Sequence, residues 1–152
     1  MYSQEEHLIL FKVADEFYGF SVEDVKEIVE LSPLTRLPNA PPIFLGIMNL
    51  RGRILKVVNL AQCLGLPSLA EDKGNQRIAV LNEPEMDIGL LVDQVSQIQQ
   101  VSARDFEDVP VLKSGESKSP FLRKLAKVDG HVVNVLDRSK LIATINATME
   151  AL

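Results

Sequence analysis

The chain carries one pattern twice. Ile9-Leu10-Phe11 followed by Gly19-Phe20-Ser21-Val22 recurs seventy residues later as Ala79-Val80-Leu81 followed by Gly89-Leu90-Leu91-Val92, and at the same spacing Val25 and Ile28 fall on Val95 and Ile98. Further along, Gly52-Arg53-Ile54-Leu55 aligns with Gly130-His131-Val132-Val133, and Val57-Val58-Asn59 with Val135-Leu136-Asp137, at a spacing of seventy-eight. The difference places an insertion in the second half. Glu107 to Pro120, punctuated by Ser, Gly and Pro, is loop sequence suited to absorb it, because closure entropy rises only slowly with loop length. A repeat unit of about sixty residues buries only roughly 60% of its surface alone, so two packed halves sharing an interface are expected.

Hydrophobic residues make up 46% of the chain and aromatics only 5%, with no Trp, so the core must be aliphatic. Short runs of Val, Ile and Leu favour strands. His7 to Val13, a turn at Asp15 and Glu16, and Phe17 to Phe20 predict a hairpin. Ser21-Val-Glu-Asp reads as a capping box, and Val22, Val25 and Val29 fall on one face of a short helix. Pro33, Pro38, Pro41 and Pro42 make the next stretch a constrained connector. Ile47 to Leu60 predicts a second hairpin around an Arg-Gly turn; Asn59 then caps a short helix with Leu60, Cys63 and Leu64 as its apolar face, stopped by Gly65 and Pro67. Asp137 caps a C-terminal amphipathic helix carrying Leu141, Ile142, Ile145 and Met149. Small closed barrels of four or five short strands suit each half, because closure removes exposed strand edges. The expected organisation is mainly β, a single domain over 1–152, with approximate subdomains 7–66 and 77–150 joined by a linker at 67–76.

Several function classes are set aside by composition. The single cysteine, Cys63, cannot form an internal disulfide, which fits a reducing cytoplasm. Glu5 and Glu6 stand where a signal peptide wants positive charge, and no apolar run approaches the roughly 20 residues of a membrane span, so a soluble cytoplasmic protein without membrane insertion is expected. A net charge of −5 with both signs scattered gives no footprint for nucleic acid. Two His and one Cys offer no metal spacing, and no phosphate-binding glycine pattern occurs, so no cofactor and no metal are expected.

Arg36-Leu37-Pro38-Asn39-Ala40-Pro41, Phe44-Leu45-Gly46-Ile47, Asn49-Leu50-Arg51-Gly52 and Val57-Val58-Asn59-Leu60 with Gly65-Leu66 follow one another, and Gly89-Leu90-Leu91-Val92-Asp93 and Val128-Asp129-Gly130 to Leu141 complete the series. In that order and over about Leu8 to Ile142 the chain resembles the CheW family. The resemblance implies two five-stranded, SH3-like β-barrels. It also implies a non-enzymatic adaptor that binds the cytoplasmic tip of a chemoreceptor and the regulatory domain of a CheA-type histidine kinase, in arrays at the inner face of the membrane, with self-association in rings as a further expectation. A non-flagellar array, serving type IV pilus twitching or phototaxis, is the alternative within the family. Two positions depart from the family pattern: Asn59, where Asp is usual, and Lys124, where Gly is common.

The resemblance points to Val25, Glu27, Gly46, Asn49, Arg51 and Gly52 as receptor-binding residues. Arg51 occupies the turn position where the second copy has Asp129, the first half of an Asp-Gly pair that tight hairpins favour. An Arg gains nothing locally there, and departures from local preference tend to mark function. In family proteins an acidic residue at the position of Glu27 pairs with the turn Arg, so an ion pair between Glu27 and Arg51 is expected. Val25 reads both as core, by periodicity, and as a groove border, by resemblance; Gly46 reads as a backbone requirement at least as readily as a contact. Rival classes are a cysteine hydrolase built on Cys63 and His131, which the repeat assigns to different halves, and a small-barrel nucleic-acid module, which the charge and the scarcity of aromatics disfavour.

Overall fold

The computed structural model describes residues 5–67, 74–110 and 120–150. Three tight turns organise it. Strands β1 (Glu6–Val13) and β2 (Glu16–Ser21) are joined by Ala14 and Asp15, at φ 51° and 65°. Strands β4 (Phe44–Leu50) and β5 (Arg53–Asn59) are joined by Arg51 and Gly52, at φ 50° and 85°. Strands β10 (Leu122–Val128) and β11 (His131–Leu136) are joined by Asp129 and Gly130, at φ 49° and 79°. Positive φ at both central residues matches the right-handed twist of the flanking strands.

The helix expected from Val22, Val25 and Val29 is not formed. Val22–Asp24 make a single turn of 3-10 helix, Ser21 makes no side-chain capping bond, and Val25–Glu30 is strand β3. It pairs antiparallel with β6 (Arg77–Leu81), with a register irregularity between Val25 and Glu27. β-branched side chains serve a strand better than a short helix, and the irregularity disturbs the alternation that would have announced one.

The remaining strands are β7 (Ile88–Val92), β8 (Gln94–Val101) and the two-residue β9 (Phe106–Glu107). One sheet runs β3-β6-β7-β5-β4 and the other β8-β1-β2-β11-β10-β9. The two copies are interleaved, since each sheet draws strands from both. The β1–β2 hairpin joins strands of the second copy, and β6–β7 joins strands of the first. Matching parallel pairs seal the exchange: Val57 lies beside Gly89 in one sheet and Val135 beside Gly19 in the other. The second sheet has six strands rather than five, because β9 adds a short edge where the first copy has only an isolated bridge, Thr35 to Ile47.

Each sheet curls around its own apolar core. Met48, Leu55, Val57, Ile78 and Val80 fill one, and Leu8, Leu10, Val101, Ala126, Val128, Val133 and Val135 the other. A third and larger cluster lies between the sheets and includes Phe11, Phe20, Val58, Leu60, Leu90 and Leu136. Helix α2 (Arg138–Glu150) seals it with Leu141, Ile142 and Ile145. Both expected caps are present: Asn59 Oδ1 accepts from the Gln62 N–H before α1 (Leu60–Cys63), and Asp137 Oδ1 accepts from the Lys140 N–H before α2. Of the expected linker, 68–73 lie outside the described residues, as do 111–119 of the expected insertion.

Candidate functional site: a groove framed by two ion pairs

The β4–β5 turn is built to present a cation. Asn49 Oδ1 accepts from the Gly52 N–H at 2.9 Å, fixing the turn, and Gly52 at φ 85° takes the conformation a side chain would resist. Arg51 then projects into solvent, its side chain 67% exposed, and its Nη2 donates to Glu27 Oε1 and Oε2 at 2.6 and 2.5 Å. Glu27 sits on β3, at one end of its sheet, whereas Arg51 follows β4, at the other end. The ion pair thus reaches across the seam of the curled sheet.

A second pair stands nearby. Arg53 Nη2 donates to Asp87 Oδ1 and Oδ2 at 2.7 and 2.9 Å, joining the start of β5 to the residue before β7, its parallel neighbour. Between the pairs lies a recess of ≈ 230 Å³ with Leu50, Leu55 and Val80 in its wall and Lys26 at its rim. Arg53, Asp87 and Lys26 were not among the residues singled out from sequence. Asp87 could not be matched to Arg53 without knowing that β5 and β7 are neighbours.

Of the six residues expected at a binding surface, Glu27 and Arg51 meet as an ion pair and line the groove, and Asn49 and Gly52 shape the turn that carries Arg51. Val25 is half-buried and packs against the core between the sheets. Gly46 has φ 151°, and a Cβ there would lie 2.7 Å from the Thr35 carbonyl oxygen, so the absence of a side chain lets Thr35 bridge to Ile47.

Neither Cys63 nor His131, the two residues of the cysteine-hydrolase alternative, lines this groove. Burial pushes the Cys63 thiol up to about 11, leaving it protonated at neutral pH, and its helix packs into the apolar cluster between the sheets. His131 lies elsewhere, its ring tilted by 42° against that of Phe17 with centroids 4.6 Å apart. No group of three or more His, Cys, Asp or Glu among the described residues could hold a metal ion, and no helix among them is long and apolar enough to cross a membrane. Lys124, one of the two departures from the family pattern, bonds Glu6 at 2.5 Å and lies 4.0 Å from the Phe106 ring centroid.

The family model for the CheW-like domain matches residues 7–146. The chain belongs to the CheW-like family. Chemotaxis protein CheW of Rhizobium meliloti is 35% identical over 130 residues, covering 86% of this chain and 83% of that protein. Chemotaxis protein CheW of Thermotoga maritima is 31% identical over 142 residues, covering 93% and 91%. Among solved structures, the scaffolding protein TtCheW from Thermoanaerobacter tengcongensis superposes with a TM-score of 0.77 at 26% identity, covering 90% of this chain and 86% of that one. CheW-like proteins are scaffolds and adaptors rather than enzymes.

Proposed function

We propose that this chain is a non-enzymatic adaptor that couples the cytoplasmic tip of a chemoreceptor to the regulatory domain of a CheA-type histidine kinase. It would work in the cytoplasm, at the inner face of the membrane where receptors are arrayed, and receive the receptor at the groove beside the β4–β5 turn. The observation that carries this reading is the Glu27–Arg51 pair, set on an apolar floor and held out by a turn whose equivalent in the second copy carries Asp129 instead. An exposed ion pair contributes only about 0 to 1 kcal/mol to stability, so its value lies in holding Arg51 in one orientation for a partner.

The deciding experiment mixes the chain with the CheA-type kinase and a receptor cytoplasmic fragment from the same genome and follows co-sedimentation. The expected result is a ternary assembly that forms only when the chain is present. Failure to associate with either partner would refute the adaptor reading.

A further inference from the structure

The internal repeat supplies a control for the groove within the same molecule. A second recess of ≈ 210 Å³ opens on the six-stranded sheet, lined by the repeat counterparts of the first. Its apolar wall is retained, with Val128, Val133 and Leu10 standing where the first has Leu50, Leu55 and Val80. Its ion pairs are gone. Gln97 and Asp129 replace Glu27 and Arg51, and Phe17 and His131, in tilted ring contact, replace Asp87 and Arg53. The same barrel position is thus completed without either pair, so neither is a requirement of the fold.

The first groove's charges are also unequally displayed. The side chains of Arg51 and Arg53 are 67% and 61% exposed, whereas those of Glu27 and Asp87 are 26% and 33% exposed. Lys26 adds another exposed cation at the rim. Each guanidinium engages its carboxylate through Nη2, and Arg has five N–H donors, so donors remain on Nη1 and Nε for a partner. On a chain of net charge −5, solvent meets a cationic rim around an apolar floor.

Resting on the proposed receptor groove, we infer that Arg53, held by Asp87, is a second recognition residue. The inferred occupant is an acidic receptor segment that inserts an apolar side chain between the two arginines and carries a carboxylate within reach of each. Charge complementarity selects this occupant: each arginine already has one carboxylate partner on Nη2 and can still donate from Nη1 or Nε to another, whereas a cationic segment would meet Lys26, Arg51 and Arg53 together.

The test measures affinity of the full chain for the receptor cytoplasmic fragment. Arg53→Ala is expected to weaken binding about tenfold at low salt, with the gap narrowing as salt is raised. Arg53→Glu is expected to bind still more weakly and to be rescued by changing one Asp or Glu of the fragment to Lys. The exchange of Arg53→Asp with Asp87→Arg keeps the pair but moves its cation, and it should fold normally yet bind poorly. Wild-type affinity for Arg53→Ala alongside lost affinity for Arg51→Ala would overturn this inference and leave the proposed function standing. Wild-type affinity for both variants would overturn the groove itself as the docking site. A loss that is insensitive to salt, with no rescuing carboxylate, would overturn the chemistry assigned to the occupant.

Discussion

Replacing Glu27 with Arg sets another cation beside Arg51 and Lys26 and removes the carboxylate that orients the turn. Because the pair is largely solvated, with side chains 67% and 26% exposed, its loss should cost about 0 to 1 kcal/mol of folding free energy. For a domain of this size, 1 kcal/mol moves the melting temperature by roughly 2 to 4 °C, which bounds the expected shift. Receptor affinity should respond more strongly, falling about tenfold or ~1.4 kcal/mol, since an unrestrained Arg51 must be ordered by the partner and now faces like charge. Paired measurements of thermal melting by circular dichroism and of binding to a receptor fragment separate the two effects. The exchange variant, Glu27→Arg with Arg51→Glu, restores the pair and should recover melting behaviour but not binding. Loss of a cooperative melt in the single variant, or unchanged receptor affinity in a well-folded one, would refute the reasoning.

Gly46→Ala should destabilise the chain by about 2 kcal/mol or more in urea denaturation, because a Cβ would meet the Thr35 carbonyl at 2.7 Å on backbone at φ 151°. Glu6→Gln should lower stability at neutral pH and lose that effect in acid. Burial raises the Glu6 carboxyl, but hydrogen bonds and charge from Arg123 and Lys124 outweigh it and hold the folded value below 4.5. A folded value below the unfolded one makes the contribution complete above the unfolded value and lost as pH falls through the folded value, so denaturation curves of the two proteins should converge as the pH falls through that depressed folded value.

The sequence carried much of this fold because its strongest signals are local. Two-residue turns, helix caps at Asn59 and Asp137 and the apolar face of α2 each depend on residues within a few positions of one another. The duplication was legible for the same reason, as repeated short motifs. The identity of strand partners was not: related copies have interchangeable strands, so resemblance between halves cannot say whether β1 takes β3 of its own copy or β8 of the other as its second neighbour. β3 does not announce itself as a strand, because Val22, Val25 and Val29 satisfy a helical period as well as they satisfy an irregular strand. At the site, the Glu27–Arg51 pair was anticipated from family resemblance, whereas Arg53–Asp87 depends on the parallel neighbour relation of β5 and β7. That relation exists only once the strands have crossed between halves.

The crossing also governs when the protein can fold as it is made. Strands β1 and β2 have no complete sheet to enter until β10 and β11, more than a hundred residues later, have been synthesised. Contacts at such long sequence separation slow folding and leave apolar strands waiting in the open, so the sheet is expected to close only after β11 has been made.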